Sequence, residues 1–206
     1  MPIELLFPSR CPGCGAWGAR PCESCLASFG PPVRVPGAGP PVFALAAYGG
    51  AARELVLAFK ERGRRELAAV FGALVAAAVP RLPGVGPGAW LVPAPSRASA
   101  ARARGGSHVL RMARASGFSA APALAFARGV RDSVRLDTAS RQANLAGRVR
   151  LVPGRLPPPG APVVLLDDVV TTGSTARACV SVLKAAGIGV PAVLTLTTAR
   201  RTHSYG

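Results

Sequence analysis

Lysine is almost missing from this chain. Of its 25 basic residues only Lys60 and Lys184 are lysines, and the other 23 are arginines. Acids are scarce as well, nine in all, so the formal charge is +16. A guanidinium fork grips phosphate bidentately where an ammonium is only a point charge. The imbalance points to phosphorylated partners: nucleotides, phosphosugars or nucleic acid. Codon bias in a GC-rich genome is the competing reading of the same arginines. Aromatics are only 5% of 206 residues, so the core must rest on Ala, Val and Leu. Charged residues are held to 17% against 50% hydrophobic ones, which excludes wholesale disorder. No apolar run reaches the ~20 residues of a bilayer span. The longest, Leu67 to Pro80, is alanine-rich and too short, so membrane insertion is not expected. The opening residues, Met1-Pro2-Ile3-Glu4, lack the basic start and apolar stretch of a secretory signal. A cytoplasmic location is therefore expected.

Three regions follow from composition. Residues 1–29 hold four of the five cysteines, residues 30–41 are a Pro/Gly-rich linker, and residues 42–206 carry the rest. Beyond the linker, strand-like and helix-like patterns alternate. Strands are predicted at 42–48, 90–92, 163–166 and 192–198, with an edge strand at 149–152. Helices are predicted at 51–62, 64–79, 98–116 and 174–186. This alternation predicts an α/β fold, a mostly parallel sheet flanked by helices.

Cys11, Cys14, Cys22 and Cys25 form C-x2-C-x7-C-x2-C. Each C-x2-C turn aims two thiolates at one point, and two turns complete a tetrahedron around Zn²⁺. Four thiolates leave no open position, so such a zinc is structural. Buried thiols, redox pairs and an iron–sulfur cluster are the other readings. Cys179, mid-helix, reads as core packing.

The densest signal is Val163-Val164-Leu165-Leu166-Asp167-Asp168-Val169-Val170-Thr171-Thr172-Gly173-Ser174-Thr175. Two carboxylates end an apolar strand, a small hydroxylated loop follows, and a helix begins. The helix start offers unpaired N–H groups and a positive dipole end, and Gly173 lets the backbone approach an anion. Thr171, Thr172, Ser174 and Thr175 add hydroxyl donors. A phosphate fits that loop, whereas Asp167 and Asp168 would repel it. The acids therefore face sugar hydroxyls, Mg²⁺ or both. An acid pair that merely caps the turn is the bland alternative.

Those thirteen residues resemble the signature by which type I phosphoribosyltransferases recognise 5-phosphoribosyl-1-pyrophosphate (PRPP). Together with the four-Cys head, the whole chain resembles the ComF family (ComFC/GntX type), linked to DNA uptake in competent bacteria. Tyr48-Gly49, Leu55, Phe59-Lys60 and Gly63 are similar to one family stretch. Leu91-Val92-Pro93-Ala94-Pro95, Arg104-Gly105, and Arg141 with Asn144-Leu145 are similar to others. Gly106-Ser107-His108 stands where many relatives have Phe-Asn-Gln, and Ser133 where many have Gln. Those departures bear on the acceptor rather than on PRPP.

The resemblance implies a type I phosphoribosyltransferase-like sheet behind a small zinc knuckle. It makes Asp167 and Asp168 the catalytic carboxylates, on the ribose 2′- and 3′-hydroxyls. The segment from Val169 and Val170 to Thr175 then binds PRPP, with the 5′-phosphate in the loop. It places pyrophosphate near Ser96 and Arg97, with Arg102, Arg104 and Lys60 as further clamps; a solvated basic helix face is the alternative for these arginines. Pyrophosphate would leave the anomeric carbon with Mg²⁺ support as a nitrogen acceptor adds. His108 is a candidate base, while His203 lies in a polar tail. The alternative function is a non-enzymatic competence module that holds single-stranded DNA beside a helicase partner; a zinc-organised scaffold without PRPP affinity is a third.

Overall fold

The run Val163-Val164-Leu165-Leu166 is apolar at every position, and all four side chains are fully buried because both faces of the strand are covered. This strand lies inside a six-stranded sheet. The structure, a computed structural model, describes residues 10–18, 20–37, 39–96, 106–127 and 149–200.

A short helix α1 (Glu23–Leu26) forms within the second cysteine turn and carries Cys25, then come β1 (Val33–Val35) and β2 (Val42–Ala47). Helices α2 (Gly50–Lys60) and α3 (Leu67–Ala78) lead to β3 (Trp90–Pro93). Next are α4 (His108–Ala115), β4 (Ser119–Ala120), β5 (Leu124–Phe126) and β6 (Val149–Leu151). The chain ends on β7 (Val163–Val170), α5 (Ser174–Ala185) and β8 (Ala192–Thr198). The sheet order is β1-β2-β8-β7-β3-β4; every pairing is parallel except β1 with β2. The expected class, a mostly parallel sheet with flanking helices behind a cysteine knuckle, is what the chain adopts.

Two apolar layers sandwich the sheet. On one face Leu91, Val164, Leu166, Leu194 and Leu196 pack against α2, α3 and α4. Phe71 anchors that layer, with ring centroids 5.7 Å from Phe29 and 5.2 Å from Phe59. Cys11 and Cys25 belong to this same layer, so the cysteine head is packed onto the sheet domain through α2. On the other face Val92, Val163, Leu165 and Val193 meet α5 through Ala176, Cys179, Val180 and Leu183. Cys179 is fully buried, and burial with the Asp167 charge pushes its thiol up to about 12, so it stays protonated.

Several expectations shift. The strand expected at 163–166 runs on through both acids to Val170, because β8 keeps pairing with it: Asp167 opposite Thr195, Val169 opposite Thr197. The segment at 149–152 is extended, yet it pairs with β5 in a separate two-stranded ribbon and not at the sheet edge. Within 30–41, Val33–Val35 forms a strand that turns back onto β2. The helix expected from 98 is described only from His108, capped by the Ser107 hydroxyl accepting from the Leu110 N–H at 3.3 Å. Residues 98–105 lie outside the described residues. Among the described residues no helix is long and apolar enough to cross a membrane.

Candidate functional site

Strand alternation separates the two acids. Asp168 shares a face with Val164 and Leu166; Asp167 shares the other with Val163 and Leu165. Asp168 therefore points toward the α2–α4 layer. There its Oδ2 lies 2.9 Å from Lys60 Nζ, at the end of α2, and 2.7 Å from His108 Nε2, at the start of α4. Its Oδ1 accepts from the Val169 N–H at 2.7 Å. Asp168 is only 5% exposed and His108 4%. Burial alone would raise the Asp168 pKa. The His108 hydrogen bond and the Lys60 charge outweigh it and hold the carboxylate well below the usual range. Burial likewise works against the Lys60 ammonium, but Asp168 beside it raises its pKa above the ordinary value.

Asp167 has the opposite environment. Burial and the adjacent Asp168 charge raise its carboxyl well above the usual range, against the stabilising hydrogen bond from the Asp168 N–H at 2.9 Å and the weaker pull of the Lys60 charge. The pair thus divides the labour of neighbouring carboxylates: Asp168 is held in its ionised form, and Asp167 is pushed toward its protonated form.

Both acids line a cavity of about 380 Å³ at the carboxyl end of β7. Ser96, His108, Lys60 and Thr175 line it with them, so four elements converge there. Ligands of open α/β sheets bind at this end of the strands.

The loop after β7 turns sharply into α5. Gly173 sits at φ 75°, ψ 9°, a left-handed conformation that costs a side-chain-bearing residue energy. Thr172 and Ser174 hydroxyls lie 2.7 Å apart. Arg177, one turn into α5, reaches back: Nη1 donates to the Thr172 carbonyl at 3.1 Å and Nη2 to Ser174 Oγ at 3.4 Å. The first turn of α5 and this guanidinium make the loop electropositive.

The four cysteines come together. Cys11, Cys14, Cys22 and Cys25 place their Sγ atoms within 4.8 Å of one another. Cys22 Sγ is 3.7 Å from Cys11 Sγ and 3.6 Å from Cys14 Sγ. A tetrahedron with Zn–S bonds of ~2.3 Å has edges of about 3.8 Å, so these spacings fit a zinc ion. All four are free thiols, not disulfides. Burial opposes a Cys11 thiolate, but N–H groups of the knuckle prevail and bring its pKa to about 6. Burial and the neighbouring sulfurs drive Cys25 far upward, so its thiolate calls for a cation. Gly13 is dictated by this packing: a Cβ there would meet Cys25 Sγ at 2.8 Å and Leu55 of α2 at 3.3 Å.

Of the residues singled out in the sequence, Asp167, Asp168, Val169, Thr175, Lys60 and Ser96 line one cavity. Thr171, Thr172, Gly173 and Ser174 form the adjoining loop, while Val170 is buried. Arg97, Arg102, Arg104, Ser133, Arg141, Asn144, Leu145 and His203 lie outside the described residues. Sequence reasoning missed Arg177; its place four residues after Gly173, on the helix face over the loop, was the available signal. It also missed that Lys60 and His108 meet on one oxygen, since they are far apart in the chain.

No protein-family model matches the chain, and no curated protein sequence matches it. Among solved structures it is similar to one described as the allosteric regulatory enzyme of purine biosynthesis, at TM-score 0.38 and 20% identity. The match covers 66% of this chain but spans only 25% of that one.

Proposed function

We propose that the cavity takes PRPP and that the chain is a phosphoribosyltransferase-like protein of the ComF family. It would transfer the phosphoribosyl group to a nitrogen acceptor and release pyrophosphate. One observation carries the reading: an acid pair on the floor of a cavity, beside a hydroxyl-rich loop at a helix start. The loop N–H groups and hydroxyls suit the 5-phosphate. The carboxylates, unable to face phosphate, suit the ribose diol. Lys60 stands where it can serve both the acid and an approaching phosphate. Mg²⁺ arriving with PRPP would neutralise charge on the departing pyrophosphate. The four-Cys knuckle would hold a structural Zn²⁺.

Calorimetric titration of the zinc-loaded chain with PRPP and Mg²⁺, followed by a product screen against nitrogen acceptors, tests this. Saturable binding that Asp168→Asn abolishes is expected. No binding heat over a wide concentration range overturns the reading.

A second reading has its own observation. Trp17 is 68% exposed on the knuckle, with the Arg10 guanidinium 4.2 Å above its ring. An exposed ring beside arginine suits an unstacked base. Salt-dependent quenching of Trp17 fluorescence by a short single-stranded oligonucleotide supports this module; affinity unchanged by salt excludes it.

A further inference from the structure

The contacts of Asp168 leave little of it for a ligand. A carboxylate has about four acceptor positions, two per oxygen. Lys60 Nζ and His108 Nε2 occupy Oδ2 at 2.9 and 2.7 Å, and the Val169 N–H takes one position on Oδ1. Among the described residues, one acceptor position remains.

His108 itself is held on several sides. It begins α4, whose cap Ser107 lies 3.2 Å from Ser96 in the turn after β3, hydroxyl to hydroxyl. The Phe59 ring meets the imidazole edge-on, with centroids 5.6 Å apart and planes at 86°. Nδ1 is buried and has no hydrogen-bond partner among the described residues. A proton there would be a buried donor without an acceptor, while Nε2 faces a carboxylate oxygen that needs a donor. The tautomer is thereby set: N–H at Nε2, lone pair at Nδ1.

We propose that His108 is a positioning residue: its Nε2–H and Lys60 together saturate Asp168 Oδ2 and turn the remaining Oδ1 position toward one hydroxyl of a sugar diol. The cavity then selects a polyhydroxylated phosphate ester over a bare phosphate through a carboxylate whose rotation is frozen. Asp167, on the other face of the strand, would serve the neighbouring hydroxyl. This rests on the ribose-phosphate reading above.

Two measurements on the zinc-loaded full chain test it. The first is two-bond ¹H–¹⁵N correlation of the histidine rings, with His203→Gln assigning the other of the two histidines. A proton on Nε2 and a lone pair on Nδ1 are expected; a proton on Nδ1 alone overturns the proposal. The second is calorimetric titration with ribose 5-phosphate and, separately, inorganic phosphate. His108→Leu should weaken ribose 5-phosphate about tenfold or more and leave inorganic phosphate unchanged. His108→Gln should restore the sugar margin, because its amide places an N–H near the position of Nε2. Equal losses for both probes, or a Gln variant no better than Leu, would assign His108 to packing and overturn the proposal. If the unaltered protein binds neither probe, the ribose-phosphate reading fails, and with it the diol role. The ring spectrum then still decides whether the His108–Asp168 bond exists.

Discussion

Two adjacent aspartates on one strand should respond to the same substitution with opposite signs. Asp168→Asn removes the charge that Lys60 and His108 share, leaving a cation whose side chain is 34% exposed beside a nearly buried ring. Stripping one partner from a fully buried pair costs about 3–5 kcal/mol; partial exposure of Lys60 reduces this to about 2–3 kcal/mol. For a chain of this size that lowers Tm by roughly 4–12 °C. Asp167→Asn removes a carboxyl disfavoured by burial and by its neighbour's charge, and should stabilise by about 1–2 kcal/mol. The pH dependence separates the cases. The Asp168 pKa is depressed on folding, so its contribution is full above the unfolded value of ~3.9 and fades as pH falls through the folded value. The Asp168→Asn deficit should shrink below about pH 4. The Asp167 pKa is raised on folding, so its penalty is absent below ~3.9 and grows as pH rises toward the folded value. The Asp167→Asn gain should vanish near pH 3 and widen toward neutrality. Thermal unfolding from pH 3 to 8 by circular dichroism measures all three proteins. Loss of metal in acid is common to them and cancels in the differences. Equal destabilisation by both substitutions at pH 7 would refute the assignment of the charge to Asp168.

Two further outcomes follow from the same geometry. Chelation of metal from the knuckle should lower Tm by roughly 10 °C, since two of its ligands sit in the main apolar layer and site binding is folding energy; an unchanged melting curve with metal analysis reading zero would exclude a structural ion. Gly173→Ala should cost about 1–2 kcal/mol, because its φ of 75° is unfavourable for alanine. Inorganic phosphate should bind more weakly as well, which calorimetry reads directly.

The parts of the fold that were legible in the sequence are those written in local pattern. The unbroken apolar run at 163–166 marks a strand buried on both faces, and Leu55 and Phe59 at helical spacing mark the core side of α2. The spacing of the four cysteines marks a tetrahedral cluster. What escaped depends on pairing at a distance. Val33–Val35 has no signal of its own; it becomes a strand because β2 offers it an edge. Residues 149–151 look like a sheet edge, but Leu124–Phe126 competes for them and wins. The strand length at Asp167 and Asp168 is set by β8, whose Thr195 and Thr197 keep pairing where the apolar run has already stopped. The same limit applies at the site. An acid pair before a glycine loop can be read from a line of text, but which acid keeps its charge cannot. That is decided by Lys60 and His108, brought from α2 and α4 onto one face.

Strand geometry makes this division possible. Consecutive side chains of a strand point to opposite faces, so two identical residues at adjacent positions cannot share an environment. In β7 one face is turned to the layer where α2 ends in Lys60 and α4 begins with His108, and the other to Cys179 and small residues of α5, so that Asp167 feels the Lys60 charge without an ion pair to it among the described residues. The Asp168 charge is thereby balanced before any ligand arrives, and Asp167 is left with its carboxyl raised well above the usual range. The neutralising cation is itself tied to the cysteine knuckle. Lys60 closes the helix whose Leu55 packs against Gly13, five residues or about 8 Å back along the axis. The knuckle, packed on Leu55, and the acid at the carboxyl end of β7 are therefore joined through one helix. Motion of either end is constrained by the other, and the charge on Asp168 is balanced by a lysine whose position the knuckle helps to set.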